Sequence, residues 1–405
     1  MRSPTQKIED SSRDSGKGDV VTPSPHSDSA YWLRIEVATD ALRHNMALFR
    51  ARVKKPTKLM AVVKANGYGH GLQIAAQSFL AGGADVLGVH SLCEARELRK
   101  GGVKAPLIIL GPVTEFEVVE AANLDAEITV ASLAAAEAAA RAAHHGTGCR
   151  IHLKVESGVN RQGVTEKELD SVLTVLTETK DLQIVGLSSH YADIEDTTDH
   201  TFARQQKNRF DSYVQLLASR GLKNVCRHMS CSAAAILWES SHFDMVRVGI
   251  SGYGIWPSRE SLISAREAGH GDLPLRPALT WKCRVAQVKE VSAGETVGYG
   301  RVWKAPVDSR IAVLPVGYSD GYPRALSGRA HVLIHGCRAP ITGRICMNLI
   351  MVDVSHVTTA AGDEAVLLGR QGHEVITAEQ LADMMNSIPY EVITLPGSTW
   401  ERVPI

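Results

Sequence analysis

The chain has 405 residues, 44 % of them apolar, and its 44 basic and 44 acidic side chains cancel. That length suggests two or three domains with sizeable cores, and the absence of a basic block argues against nucleic acid as a partner. No apolar run is long enough to span a bilayer, and the seven scattered cysteines show neither zinc-ligand spacing nor a disulfide framework, so the expectation is a cytoplasmic protein with no metal and no membrane contact.

Residues 1–30 are rich in Ser, Asp, Lys and Pro, with almost nothing apolar and no secretory-type apolar middle, and read as a disordered tail. The run Tyr31–Val37 reads as a strand that can join sheets formed later in the chain. From residue 58 to 250, eight short apolar runs follow: 58–64, 84–90, 105–110, 126–130, 150–156, 182–190, 226–230 and 245–250. Between them lie stretches of helical composition such as Leu133–Ala143 and Lys167–Thr177. Continuous apolar strands alternating with helices signal a parallel sheet covered on both faces. Eight such units in this length match a (β/α)8 TIM-type barrel, and no G-x-G-x-x-G follows a strand to favour a doubly wound sheet. The Gly- and Pro-bearing segment 257–277 reads as a connector. Beyond it, Trp281–Val291, Arg310–Val316, Ala330–Ile334, Arg344–Val354 and Glu364–Leu368 alternate apolar and polar residues, with one helix at Thr377–Asn386. The fold class is therefore α/β: a barrel over 41–270, then a mostly antiparallel β domain over 271–405 that includes strand 31–38.

In such a barrel the side chains at the C-terminal ends of the strands face the active site. Lys64 closes the first strand, just after Leu59-Met60-Ala61-Val62-Val63 and just before the glycine-rich Ala65–Gly71. Burial at such a rim lowers an amine's pKa and frees it to attack a carbonyl; a snorkelling lysine is the plain alternative. Lys154 and Arg161 fall at the fifth strand, His190 at the sixth, Ser230-Cys231-Ser232 at the seventh, and Arg247, Gly249 and Ile250 at the eighth. The loops after the last two strands are where a phosphate usually sits, with the Ser232 hydroxyl and the Gly249-Ile250 backbone as donors. Taken singly, His190, Lys154, Arg247 and Ser232 have ordinary structural readings as a core histidine, ion-pair partners and a helix cap. Polar groups at five rim positions of one barrel do not.

These residues carry a family. Ala61–Gly71 (AVVKANGYGHG), Leu153–Gly163 (LKVESGVNRQG), Phe243–Ile250 (FDMVRVGI), Gly298-Tyr299-Gly300, Gly317–Arg324 (GYSDGYPR) and Gly343–Val354 (GRICMNLIMVDV) resemble, in order, the motifs of the alanine racemases. The resemblance implies a pyridoxal 5'-phosphate enzyme that interconverts L- and D-alanine by two bases and supplies D-alanine for peptidoglycan. It implies that Lys64 holds the cofactor as a Schiff base and is one acid/base, and that Tyr299, reaching in from the partner of a homodimer with shared sites, is the other. Tyr68, Ser232, Gly249 and Ile250 would hold the phosphate. Arg247 would bond the pyridine nitrogen, oriented by His190. Arg161 would meet the cofactor's phenolate oxygen and the substrate carboxylate. Lys154 would position Arg161, in some members as a carbamate, and the Met347 backbone would bind the substrate carboxylate. The chain departs from the family at Asn348 (usually Asp), Cys231 (Asn), Val248 (Pro) and Asn160 (Gly). The tyrosine expected before the C-terminal Arg402-Val403-Pro404 is replaced by Trp400-Glu401. A serine or broader-specificity racemase is the alternative. A barrel decarboxylase would need a Gly-Gly-Gly phosphate loop and a Cys-Asp pair, and a non-catalytic cofactor carrier would be a lone barrel.

Overall fold

The computed structural model describes residues 31–144, 148–397 and 400–405, so the tail read over 1–30 lies outside the described residues. The first strand is β1 (Leu33–Val37). The eight apolar runs then form β2 (Lys58–Val62), β3 (Val86–Val89), β4 (Leu107–Ile109), β5 (Ala126–Val130), β6 (Cys149–Lys154), β7 (Leu182–Ser188), β8 (Cys226–His228) and β9 (Met245–Val248). β5 coincides with its run; the others are shorter, and in β2, β6, β7, β8 and β9 the last residues of the run leave the sheet at the rim. The strands are parallel, in the order β8-β7-β6-β5-β4-β3-β2-β9. Between β8 and β9 closure is local. Asp244 N donates to Arg227 O at 3.0 Å and Arg247 N to Ser230 O at 3.2 Å. The Asp244 carboxylate takes Arg227 N, Nε and Nη2 at 2.7–2.9 Å. Helices such as Leu133–His144 and Glu166–Glu178 cover the outside. The result is a (β/α)8 barrel.

The segment 257–277, read as a connector, contains a helix, Arg259–Glu267, which starts where Ser258 Oγ accepts Ser261 N at 2.9 Å. After it come β10 (Leu279–Arg284), β11 (Gln287–Val291), β12 (Thr296–Val297), β13 (Trp303–Lys304), β14 (Ser309–Leu314), β15 (His331–Ile334), β16 (Cys337–Pro340), β17 (Ile350–Asp353), β18 (Glu364–Gln371), β19 (Glu374–Ile376) and β20 (Arg402–Pro404). One sheet runs β16-β15-β18-β10-β1-β20 and another β11-β14-β17. The single run expected over Trp281–Val291 divides because the chain changes sheets there. Val285 N bonds Asp363 O, and the next amide, Ala286 N, bonds Val313 O. The run Arg344–Val354 keeps only its end as β17. Its first half is a loop pinned by Asn348 Nδ2, which donates to Ser319 Oγ at 2.6 Å and Asp320 Oδ2 at 3.3 Å. Among the described residues no helix is long and apolar enough to cross a membrane.

Candidate active site

The rim of the barrel opens on a cavity of about 1480 Å³. The structure brings Lys64, Tyr68, Lys154, Arg161, His190, Ser232, Arg247, Gly249 and Ile250 to its wall. Tyr299 and Met347 do not line it. They stand 73 % and 56 % exposed on loops of the C-terminal sheets, beside Tyr318 and Leu349, which are also exposed.

Lys64 opens a short turn, Lys64–Tyr68, of unusual hand. Ala65, Asn66, Gly67 and Tyr68 have φ of 54°, 53°, 61° and 49°. A left-handed turn costs a non-glycine residue roughly 1–2 kcal/mol, so the surroundings must hold it. They do. Gly67 N reaches Val63 O at 2.9 Å and Gly71 N reaches Asn66 O at 2.8 Å. Asn66 Oδ1 accepts Leu72 N at 2.9 Å, and Glu94 Oε1 accepts Ala65 N at 2.6 Å. Glu94 is itself fixed in the capping box of the helix Leu92–Lys100. The strain keeps the amine at the rim instead of letting β2 run on. Asn160 shows the same logic. Its φ of 53° lies in the left-handed region, which asparagine tolerates better than most side chains, so the glycine usual before Arg161 is not required.

On the neighbouring strand β9, in register with Met60 of β2, Arg247 is buried and makes five bonds. Nη1 meets His228 O and Nδ1 at 2.8 Å each. Nη2 meets Ser189 O at 2.8 Å, Met229 O at 3.0 Å and His190 Nδ1 at 3.1 Å. Burial, then Arg247 and the other cations, holds His190 well below the usual histidine range, so it is a neutral acceptor. Burial also brings Arg247 down to about 10, still charged at neutral pH. Ser232 Oγ accepts Gly249 N at 3.0 Å. A Cβ on Gly249 would stand 2.7 Å from the Tyr68 hydroxyl, so the absent side chain leaves a recess between that phenol, Ser232 and the Ile250 backbone. Tyr68 is stacked on Tyr253 with ring centroids 4.8 Å apart, and Tyr253 donates to Val62 O.

The cations crowd one another. Burial and then Arg161 lower the Lys64 amine, while Glu94 opposes the shift. Burial, then Arg247, Arg161 and Lys64, brings Lys154 down to about 8. Lys154 Nζ donates to Gln162 Oε1 at 3.2 Å, and Arg161 has no hydrogen-bond or ion-pair partner among the described residues. A lysine depressed in the fold from its ordinary 10.5 is penalised while charged, and it sheds the penalty as pH rises from about 8 toward 10.5. In carbon dioxide-free buffer the apo protein should therefore gain roughly 2–3 kcal/mol of stability over that window, at 1.36 kcal/mol per pKa unit less a discount for partial exposure. Denaturant melts of wild type and Lys154→Met check it; equal pH profiles would exclude the assignment.

Trp400-Glu401 stand where the family's tyrosine precedes Arg402, and a different tyrosine reaches the cavity. Tyr390, on the helix Pro389–Thr394, lines the cavity 6.3 Å from the Tyr68 ring. Its hydroxyl bonds the Glu195 carboxyl at 3.1 and 3.2 Å, and burial raises that carboxyl to about 7. Looking only next to Arg-Val-Pro missed Tyr390. The available signal was Pro389 starting one more short helix in the same C-terminal segment.

Residues 37–257 match the family described as "Alanine racemase, N-terminal domain", and residues 278–404 that described as "Alanine racemase, C-terminal domain". An alanine racemase of Desulfosudis oleivorans is 40 % identical over 390 residues, which is 93 % of this chain and 96 % of that protein. One from Desulforamulus reducens is 37 % identical, covering 91 % and 98 %. Among solved structures, the alanine racemase of Bacillus anthracis with bound L-Ala-P superposes with a TM-score of 0.87 at 30 % identity, covering 93 % of this chain and 95 % of that one. That of a D-cycloserine-producing Streptomyces lavendulae superposes at 0.85 with 33 % identity, covering 93 % and 97 %.

Proposed function

The chain belongs to the alanine racemase family, and on that premise we propose that it interconverts L- and D-alanine with pyridoxal 5'-phosphate as cofactor. It is an amino-acid racemase, hence an isomerase. The observation that carries the cofactor reading is the donor set. An amine held below its ordinary pKa, a recess without a Cβ beside two hydroxyls and backbone amides, and a buried donor-only guanidinium fit an aldehyde, a phosphate and a ring nitrogen respectively. When bound to Lys64, the cofactor supplies an electron-withdrawing ring that acidifies the Cα–H of an attached amino acid.

The residues divide the remaining work. Tyr68, Tyr390, Ser232, Gly249 and Ile250 hold the phosphate. Arg247, braced by His190 and His228, donates to the ring nitrogen without giving up its proton. Arg161, without a hydrogen-bond or ion-pair partner among the described residues, binds the substrate carboxylate, aided by the Met347 backbone of a second copy. Lys64 moves a proton on one face of Cα and Tyr299 of the partner subunit on the other, so inversion needs no movement of the substrate. The exposure of Tyr299, Met347, Tyr318 and Leu349, and the open side of the cavity, support a homodimer in which each copy completes the other's site. Lys154 is a nucleophile when neutral. Its Nζ can add to carbon dioxide, forming an N–C bond and releasing one proton, and the resulting carbamate replaces one of four clustered positive charges by a negative one.

The test is direct. The purified protein with pyridoxal phosphate should show the visible band of the lysine-bound cofactor and bring L- or D-alanine to an equal mixture. L-serine and L-lysine should be far slower. Faster turnover of serine would replace alanine as the substrate, and no visible band would remove the cofactor.

A further inference from the structure

A line of polar side chains runs through the barrel interior, where packed aliphatic layers are the rule. Arg247 Nη1 lies 2.8 Å from His228 Nδ1. His228 Nε2 lies 2.8 Å from His152 Nδ1. His152 Nε2 lies 2.6 Å from Glu127 Oε2. Strands β9, β8, β6 and β5 supply the four residues. The strand β7, between β6 and β8, carries Gly186 beside His152, and a Cβ there would collide with the His152 ring. The glycine therefore makes the space in which the two imidazoles meet.

The proton positions follow from the ends of the line. A guanidinium only donates, so His228 Nδ1 is bare. Burial, then His152, Arg247 and Lys154, holds His228 well below the usual histidine range, so the ring is neutral and its one proton sits on Nε2. That proton points at His152 Nδ1, which leaves His152 to carry its own on Nε2, pointing at Glu127. Burial pushes the Glu127 carboxyl up, but His152 and Arg150 outweigh it and hold the group below the usual carboxylate range. Every N–H in the line thus points from Arg247 toward an ionised carboxylate. Arg247 needs one. Its five bonds go to imidazole nitrogens and carbonyl oxygens, and a buried cation without a counter-charge is costly.

We propose that Glu127 is a positioning residue for the reaction: acting through His152 and His228, it is the remote counter-charge that fixes the orientation and charge of Arg247. This rests on the reading that Arg247 faces the cofactor ring. Glu127→Gln tests it, because the amide oxygen still accepts from His152 while the charge is gone. In the holoenzyme kcat should fall about tenfold in both directions, the order expected for one unit charge acting along a buried path, with KM little changed. The visible maximum of the bound cofactor should move with it. Asp125→Asn, which loosens only the exposed pair with Arg150 (2.8 Å), should leave both readouts in place. A Glu127→Gln enzyme matching wild type in kcat and spectrum overturns the proposal even where Glu127→Ala is impaired, since that pattern is purely structural. Independently of any variant's folding, 15N shifts of labelled histidines in the wild-type protein should show Nε2–H tautomers at both His152 and His228. An Nδ1–H tautomer or a charged ring at either position overturns the proposal. The tautomers are read without the cofactor, so their failure is distinct from the cofactor reading, which fails when wild type shows no visible band.

Discussion

Lys64→Ala protomers mixed with Tyr299→Phe protomers should regain racemisation that neither has alone. On the proposed roles, Lys64→Ala removes the amine that would tie down the cofactor and move one proton. Tyr299→Phe removes the proposed second acid/base, a loss of about 10²–10⁴-fold for a positioned proton-transfer group. Lys64 lines the cavity of its own chain, whereas Tyr299 lies outside that cavity and is exposed. In a two-fold dimer with sites shared across the interface, a mixed pair carries both lesions in one site and none in the other. Random reassortment then leaves about a quarter of all sites intact. The measurement is turnover of D-alanine after unfolding and refolding the mixture, beside each variant treated alone. No recovery would mean that both groups come from one chain, or that Tyr299 is not a base, and the two-face mechanism would be lost.

Gly69→Ala should unfold the cofactor end of the site. Gly69 has φ of 82°, and a Cβ there would run into the backbone carbonyl of Ile393. Its carbonyl takes Arg402 Nε at 2.9 Å, so the turn bearing Lys64 is clamped from both sides by the C-terminal segment. The methyl group cannot be accommodated by a rotamer change, because the obstacle is backbone. Backbone strain and steric conflict together should cost at least about 3 kcal/mol. Displacement of the helix Pro389–Thr394 should also carry Tyr390 away from Tyr68. Urea melts should show the lost stability, and titration with pyridoxal phosphate should show at least about a hundredfold weaker binding, which corresponds to about 2.7 kcal/mol. A variant as stable as wild type with unchanged cofactor affinity would show that this close approach has no role.

The barrel was legible because its strands are short, largely apolar runs that alternate with stretches of helical composition; β2 to β9 all fall on runs visible in the sequence. The rim residues were legible for the same reason, since Lys64, His190 and Ser232 come just after strands β2, β7 and β8 and Arg247 lies in the last strand, β9. The second half was less legible. The run over Trp281–Val291 is continuous in pattern, yet the chain changes sheets at Val285-Ala286. Alternation reports which face a side chain takes, and not which neighbour its backbone bonds. Short strands such as β16, β19 and β20 carry too few residues for any period to register.

Local chemistry along the chain determined the fold class and the inventory of reactive groups, because apolar periodicity and strand-end position are properties of consecutive residues. Only tertiary structure decided which groups act together. The left-handed turn at Lys64 depends on Glu94, Tyr390 enters the cavity on a helix from the far end of the chain, and the line from Arg247 to Glu127 needs four strands and the gap at Gly186. Such contacts join residues far apart in sequence, and burial and hydrogen bonding act through space, so no stretch of sequence contains them.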